Sequence, residues 1–227
     1  NFTVNNLTSI DQTTDTPTNN FATWNPLEPY SASTFSNGNL TIVSNTGNSR
    51  NDNSTLGVSQ GKWYWETKYV ATSGSANWFG VGAIADQNNY EILGDTANGF
   101  SYYGHTGVVR KNGSTVATLS TFAPNDIIGV ALDLDNNLVY FYKNGTVQNS
   151  GTGISIPSAS STPLGNWFPA VADWYNVESY TSSANFGNPP FTIASGNADA
   201  NGLGNFEYTV PTGYLSLCTK NLSEVNS

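Results

Sequence analysis

Apolar positions alternate with period two from Asn125 to Gly145, a pattern that predicts a β-hairpin. Ile128, Val130, Leu132 and Leu134 fall on one face of its first strand, and Ile127, Gly129, Ala131 and Asp133 on the other. Asp135, Asn136 and Asn137 supply turn chemistry, because short polar side chains bond their own backbone and tolerate positive φ. Leu138 to Tyr142 returns as an almost wholly apolar strand, and Asn144-Gly145 marks a type I′ turn. A hairpin apolar on both faces belongs inside a sheet.

Similar patterns place strands at Asn39–Ser44, Gly61–Val70, Trp78–Ala85, Phe100–Tyr103, Gly107–Arg110, Ser114–Thr118, Trp167–Ala172 and Ser179–Asn185. Lys111-Asn112-Gly113 reads as a hairpin turn, and Gly151–Pro157 as a loop or short edge strand. Pro169 implies an edge or a bulge within its strand. The polar run Asn45–Ser54 reads as a loop, and only 214–222 has helical character. Phe2, Val4, Leu7, Phe21, Trp24 and Leu27 are spaced so that a Pro-broken N-terminal arm lies over a sheet. Turn signals every 8–12 residues or so point to an all-β fold, a two-sheet antiparallel β-sandwich. The chain divides into an arm at 1–59, a core at 60–187 and a C-terminal extension at 188–227 that closes the domain or leads to a next segment.

The composition narrows the function. Six Trp, 12 Tyr and 11 Phe supply a core built from aromatics, while only 10% of residues are charged, against about 25% in ordinary soluble domains. Asn, Thr, Ser and Gly take their place, as in many extracellular and virion-surface β-proteins. With a net charge of −9 and 7 scattered basic residues, no patch can neutralise a run of phosphates, which argues against nucleic acid and anionic membranes as partners. No stretch approaches the ~20 apolar residues of a membrane-spanning helix, so no membrane insertion is expected. Cys218 is the only cysteine, which excludes an intrachain disulfide. The chain lacks Met and begins at Asn1, which reads as processing or, better, as one segment of a longer polypeptide. The seven N-x-S/T sequons, Asn39-Leu-Thr and Asn53-Ser-Thr among them, reflect Asn, Ser and Thr richness before they suggest glycans.

Three ordered blocks resemble the SPRY family. Gly61-Lys62-Trp63-Tyr64-Trp65-Glu66 is similar to its opening G-x-x-YWE. Asn125 to Asp133, with Phe141-Tyr142-Lys143-Asn144-Gly145, resembles its GD-x-IGV-x-LD…F-x-x-NG block. Phe168-Pro169-Ala170-Val171 and Asn185-Phe186-Gly187 resemble its closing FPAV…NFG. Asn125 departs from the usual Gly, a change that a turn tolerates. The flanks Asp15–Phe21, Asn25-Pro26-Leu27 and Ser36–Leu40, with Pro211–Tyr214 and Cys218–Leu222, resemble those of SPRY domains in tail-fibre and other structural proteins of tailed bacteriophages. The resemblance implies a bent, concanavalin A-like sandwich that binds partners through loops at one rim and is not an enzyme. It also implies a place on a virion surface, outside the cell.

His105 and Cys218 would have to meet across 113 positions to form a thiol–imidazole dyad, and no serine sits in a nucleophile elbow, so no catalytic residue is assigned. Asp133 and Asp135 could mimic a glycosidase pair, but turn shaping explains them better. Ca2+ is the one cofactor with any oxygen-rich setting, at Asp133–Asn137 or from Asp86, Asp95 and Asp173, and no metal ligand is assigned. Aromatics placed in loops carry more. Trp174, Tyr175 and Asn176 fall between two late strands, Tyr102, Tyr103 and His105 near a turn, and Trp78 after a small polar run. Exposed rings of this kind suit sugar stacking or a protein hot spot. The expected partner is a host cell-surface glycan or protein, or another virion protein, with a homotrimer in the intact protein by analogy with fibres. A decoration domain without a ligand and a glycan depolymerase are the alternatives.

Overall fold

A computed structural model describes residues 16, 18–27, 33–44, 51–73, 78–86, 92–173 and 179–225. Its strands are β1 (Thr34–Ser36), β2 (Thr41–Val43), β3 (Asn51–Asn53), β4 (Lys62–Thr72), β5 (Phe79–Ile84), β6 (Gly99–Tyr103), β7 (Val108–Lys111), β8 (Ser114–Thr118), β9 (Ile127–Asp133), β10 (Leu138–Lys143), β11 (Thr146–Val147), β12 (Ile154–Ser155), β13 (Phe168–Asp173), β14 (Tyr180–Asn185) and β15 (Leu215–Ser216). A short helix, α1 (Thr219–Val225), follows. Sheet I runs β1-β2-β14-β4-β9-β10-β11, with β12 on β10 and β15 on β4. Sheet II runs β3-β13-β5-β6-β7-β8. All pairings are antiparallel except β15 with β4, and the two sheets enclose one aromatic-rich core. This is the two-sheet sandwich expected from the sequence.

The β9–β10 hairpin lies between β4 and the short β11 and β12. Its inward residues Ile128, Val130, Leu132 and Leu134 join the main core, with Trp63, Trp65 and Tyr69 of β4 and Phe141 of β10. Asp133 accepts from the Asn136 N–H at 3.0 Å and from its side-chain amide at 2.9 Å, closing the turn. Asp135 caps the Gly61 N–H at 2.9 Å. Both carboxylates therefore serve local backbone geometry, as turn shaping predicts, and Asp135 keeps an exposed side chain.

Three expectations are corrected. Asn51–Asn53, read as loop, is a buried strand. Its low strand propensity is overridden because β13 pairs with it and Asp52 accepts the Tyr180 hydroxyl at 2.8 Å. Pro169 is not on an edge strand, since β13 lies between β3 and β5. Past Asn53 the Pro169 carbonyl still accepts the Ser54 N–H at 2.9 Å, and pairing then lapses until the Val58–Trp167 bridge, an irregularity beside the proline. Leu27 stands 85% exposed, although Phe21 and Trp24 of the same arm are buried. Phe2, Val4 and Leu7 lie outside the described residues.

Behind β14 the chain returns over the outer face of sheet I. Phe206, Val210 and Tyr214 pack there on Tyr64 and Ala131. Buried Glu66 anchors the crossing: it accepts from the Glu207 N–H (3.0 Å), the Tyr208 N–H (2.8 Å) and the Asn185 amide (3.0 Å). Asp199 does the same nearer the C-terminus, accepting from the Ser216 N–H and hydroxyl and from the Asn221 amide. The arm and the C-terminal segment meet backbone to backbone, Ala22 N–H to Leu217 O at 2.9 Å and Thr219 N–H to Asn20 O at 3.0 Å.

Candidate functional site

Gly80 pairs with Tyr103 at the end of β5 and β6, and the ladder runs one step further through Gly104 N–H to Phe79 O at 2.9 Å. That register carries Trp78 and His105, 27 positions apart, to the same end of the sandwich. Their ring centroids are 4.4 Å apart and tilted by 52°. His105 is exposed and Trp78 half-buried. The pair brings together two of the residues singled out in the sequence.

The turn that carries His105 is braced from behind. Gly107 N–H bonds Tyr103 O, Phe122 N–H bonds Gly104 O at 3.1 Å, and Leu119 N–H bonds Gly107 O at 2.7 Å. Only glycine fits at 104: a Cβ there would lie 2.7 Å from the Phe122 carbonyl oxygen. Beneath the turn, Tyr69 stacks on Phe79 at 4.6 Å, Phe79 meets Tyr180 at 4.8 Å, and Tyr102 meets Phe122 edge-on at 4.8 Å. This floor explains the aromatic composition: rings fill the end of the sandwich and hold the turn rigid. Burial, reinforced by the Asp52 carboxylate, pushes the Tyr180 hydroxyl far above its ordinary range, so it stays a neutral donor to Asp52.

Tyr102 and Tyr103 are not loop residues. β6 extends through both, and each is fully buried because sheet II is covered on both faces. Tyr102 points into the core and donates to Ser120 O; Tyr103 points outward and donates to Leu93 O at 2.7 Å. Burial raises both hydroxyl pKa values well above the ordinary tyrosine range. Neither ring is available to a partner in this fold. Trp174, Tyr175 and Asn176 lie outside the described residues; they follow directly on Asp173, the last residue of β13, the strand paired with β5. The bracing segment Leu119–Phe122 was missed in the sequence, where its lack of charge and alternation gave no signal.

Cys218 is buried with its sulfur 3.8 Å from the Ser216 hydroxyl, while His105 packs on Trp78, so the structure places the two in separate settings. Among the described residues no group of three or more His, Cys, Asp or Glu side chains is placed to hold a metal ion. Of the carboxylates considered for Ca2+, Asp95 is bound by Arg110 Nε at 2.8 Å and Asp173 is buried at the end of β13.

The SPRY-domain family profile matches residues 62–184, more than half of the chain. The chain belongs to the SPRY family. Domains of this family are generally non-enzymatic protein-interaction modules. Among curated proteins, the ATP-dependent RNA helicase Ddx1 of Drosophila melanogaster is 33% identical over 144 residues, 63% of this chain but only 18% of the helicase. The SPRY domain of human HERC1 superposes with a TM-score of 0.56 at 19% identity, over 71% of this chain and 96% of that one. Stonustoxin gives 0.51 at 16% identity, over 72% of this chain and 27% of the toxin. At these identities the structural likenesses show the SPRY fold. No helix among the described residues is long and apolar enough to cross a membrane.

Proposed function

We propose that this SPRY domain is a non-enzymatic docking module whose Trp78–His105 end receives a protein partner. The observation that carries the reading is a half-buried indole packed at 4.4 Å on an exposed imidazole above a braced turn. The segment that braces the turn, Leu119–Phe122, carries no charged side chain of its own, and Lys143 bonds it at Thr121 O at 2.8 Å. Large rings on a rigid turn suit a protein hot spot. Trp174, Tyr175 and Asn176, which follow β13 in the sequence, stay candidates for the test below.

The setting we propose is a structural protein of a tailed-phage virion, exposed outside the cell, with a host-surface protein or a neighbouring virion protein as partner and a homotrimer in the intact fibre. Its support is the resemblance of the flanks around Asp15–Phe21 and Pro211–Tyr214, together with the low charge.

The test is to capture partners on the full chain, purify the candidate, and titrate it against wild type, Trp78→Ala, His105→Ala, Trp174→Ala and Tyr175→Ala. Trp78→Ala should weaken binding roughly tenfold or more without changing the melting temperature. A partner that binds Trp78→Ala and His105→Ala as tightly as wild type would place the site elsewhere.

A further inference from the structure

The outer face of sheet I carries a second aromatic surface. Tyr140 and Tyr142 alternate outward along β10 and pack, partly buried, on the cluster formed by Tyr64, Ala131, Phe206, Val210 and Tyr214. Tyr142 stands edge-on to Tyr64 at 6.4 Å. The Tyr208 ring lies on the β10–β11 turn, so close that a Cβ on Gly145 would fall 2.5 Å from it. Tyr140, Tyr142 and Tyr208 are half-buried and Tyr214 is only 7% exposed. None of the four hydroxyls has a hydrogen-bond partner among the described residues. That contrasts with Tyr64, Tyr102, Tyr103 and Tyr180, whose hydroxyls all donate to the protein.

The row continues into a groove. Lys62 Nζ sits 5.9 Å above the Tyr214 ring and also lines an open groove of about 470 Å³ with Gln60, Asp135, Thr212 and Leu215. Lys62 is already paired with Asp133 at 3.2 Å, so it offers no unbalanced cation. What the surface offers is flat rings, hydroxyls that both donate and accept, and the exposed Asp135 carboxylate and Thr212 hydroxyl. An anionic ligand finds no unpaired cation in this lining, since Lys62 is held by Asp133. The matching ligand has apolar ring faces edged by hydroxyl groups, which is the chemistry of a pyranose.

We propose that the Tyr140–Tyr142–Tyr214 surface and its adjoining groove bind a neutral oligosaccharide, at a site separate from the Trp78–His105 end. The rings provide stacking area, the free hydroxyls and Asp135 bond the sugar hydroxyls, and the groove's volume of about 470 Å³ lies in the range of small-ligand sites. The sequence held the signal in the alternation Leu138-Val139-Tyr140-Phe141-Tyr142, in which the tyrosines leave the core to Val139 and Phe141. The partner side, Tyr214, comes from the extension and could be joined to β10 only by the fold.

The experiment is saturation-transfer NMR followed by calorimetric titration of the full 227-residue chain with malto-, cello-, xylo- and chito-tetraose, with decaproline as a neutral peptide control. At least one tetrasaccharide should bind, and Tyr140→Ala and Tyr142→Ala should each weaken it roughly tenfold. Tyr140→Phe and Tyr214→Phe, which keep the rings and the packing, should weaken it about threefold and cover the case in which an alanine variant fails to fold. Trp78→Ala should leave sugar binding unchanged, which separates this site from the protein-docking end. Absence of binding by every sugar at millimolar concentration, binding by decaproline alone, or sugar binding untouched by the tyrosine variants would each overturn the proposal.

Discussion

The two faces of β4 are secured in different ways. Inward, Trp63, Trp65 and Tyr69 pack among the rings and aliphatic side chains of the main core, where shape and dispersion hold the layers together. Two polar atoms on that side, Trp65 Nε1 and Thr67 Oγ1, are buried with no hydrogen-bond partner among the described residues, while Trp63 Nε1 donates to Gln60 O at 2.7 Å. Outward, Tyr64, Glu66 and Lys68 alternate with them. There Glu66, equally buried, is saturated by the Tyr64 hydroxyl, the Asn185 amide and two backbone N–H groups. The inner face therefore tolerates unsatisfied donors because apolar contact dominates it, whereas the outer face depends on one carboxylate placed correctly. The extension is held by polar geometry and the sandwich by packing.

The largest test of that contrast is to delete 188–227. The family-matched core keeps its inner rings, but Tyr64 and Ala131 lose the cover of Phe206, Val210 and Tyr214, Leu217 leaves the main core, and Glu66 exchanges two backbone donors for water. Each large apolar side chain whose burial is lost costs about 1.5–3 kcal/mol, so the sum is a large part of the roughly 5–15 kcal/mol that holds an ordinary domain together. The truncated chain should show no cooperative thermal transition by circular dichroism. A sharp melt within a few degrees of the full chain would mean that packing alone secures both faces.

How much of this was legible beforehand follows the same division. The β9–β10 hairpin was readable because alternation and turn chemistry are local, and so were the inward positions of Trp63, Trp65 and Phe141. Asn51–Asn53 was not, because its residues disfavour strands and are held by β13, more than a hundred positions away. Tyr102 and Tyr103 fell at the end of an expected strand, Phe100–Tyr103, and were offered as partner-facing rings; with both faces of β6 covered, alternation cannot reveal that both are buried. The Trp78–His105 pair depends on the β5–β6 register, and Glu66 on donors 141 and 142 positions along the chain. A sequence shows the periodicity of a strand, but not which distant donor its one buried carboxylate awaits.

A finer probe uses pH, because the carboxylates move in opposite directions. Burial raises the Glu66 pKa above its ordinary 4.5 despite the four bonds that favour the anion. A group whose folded pKa is raised lends its stability most fully below the unfolded value, and the contribution is lost as pH rises through the folded value. Burial would raise Asp133 and Asp126 as well. For Asp133, bonds from Asn136 and Lys62 outweigh it, and for Asp126, bonds from Ala123, Asn144 and Lys143 do, so both sit below 3.8. Their contribution is present above that value and lost as pH falls through the folded one. Melting temperatures measured from pH 3 to 7, roughly, should then show Asp133→Asn less stable than wild type near neutrality, with the gap closing in acid. Glu66→Gln should cost less as pH rises past 4.5 than it does in acid. Parallel curves at every pH would mean that neither carboxylate titrates with folding.

The smallest effect tests the inner face. Thr67 Oγ1 is buried without a partner on a strand whose neighbours are Trp65 and Tyr69. Replacing the hydroxyl by a methyl removes the burial of a group that gains nothing and keeps the β-branched shape that the strand favours. Thr67→Val should therefore leave the fold intact and raise stability by about 1 kcal/mol, read as a shift of the urea midpoint at unchanged slope. The same exchange of polarity for shape at Glu66, as Glu66→Leu, should lower stability by about 3 kcal/mol or more, because four donors would lose their acceptor at once. If Thr67→Val destabilises as much as Glu66→Leu, the hydroxyl has a partner, such as a buried water, and the two faces of β4 differ less than their side chains suggest.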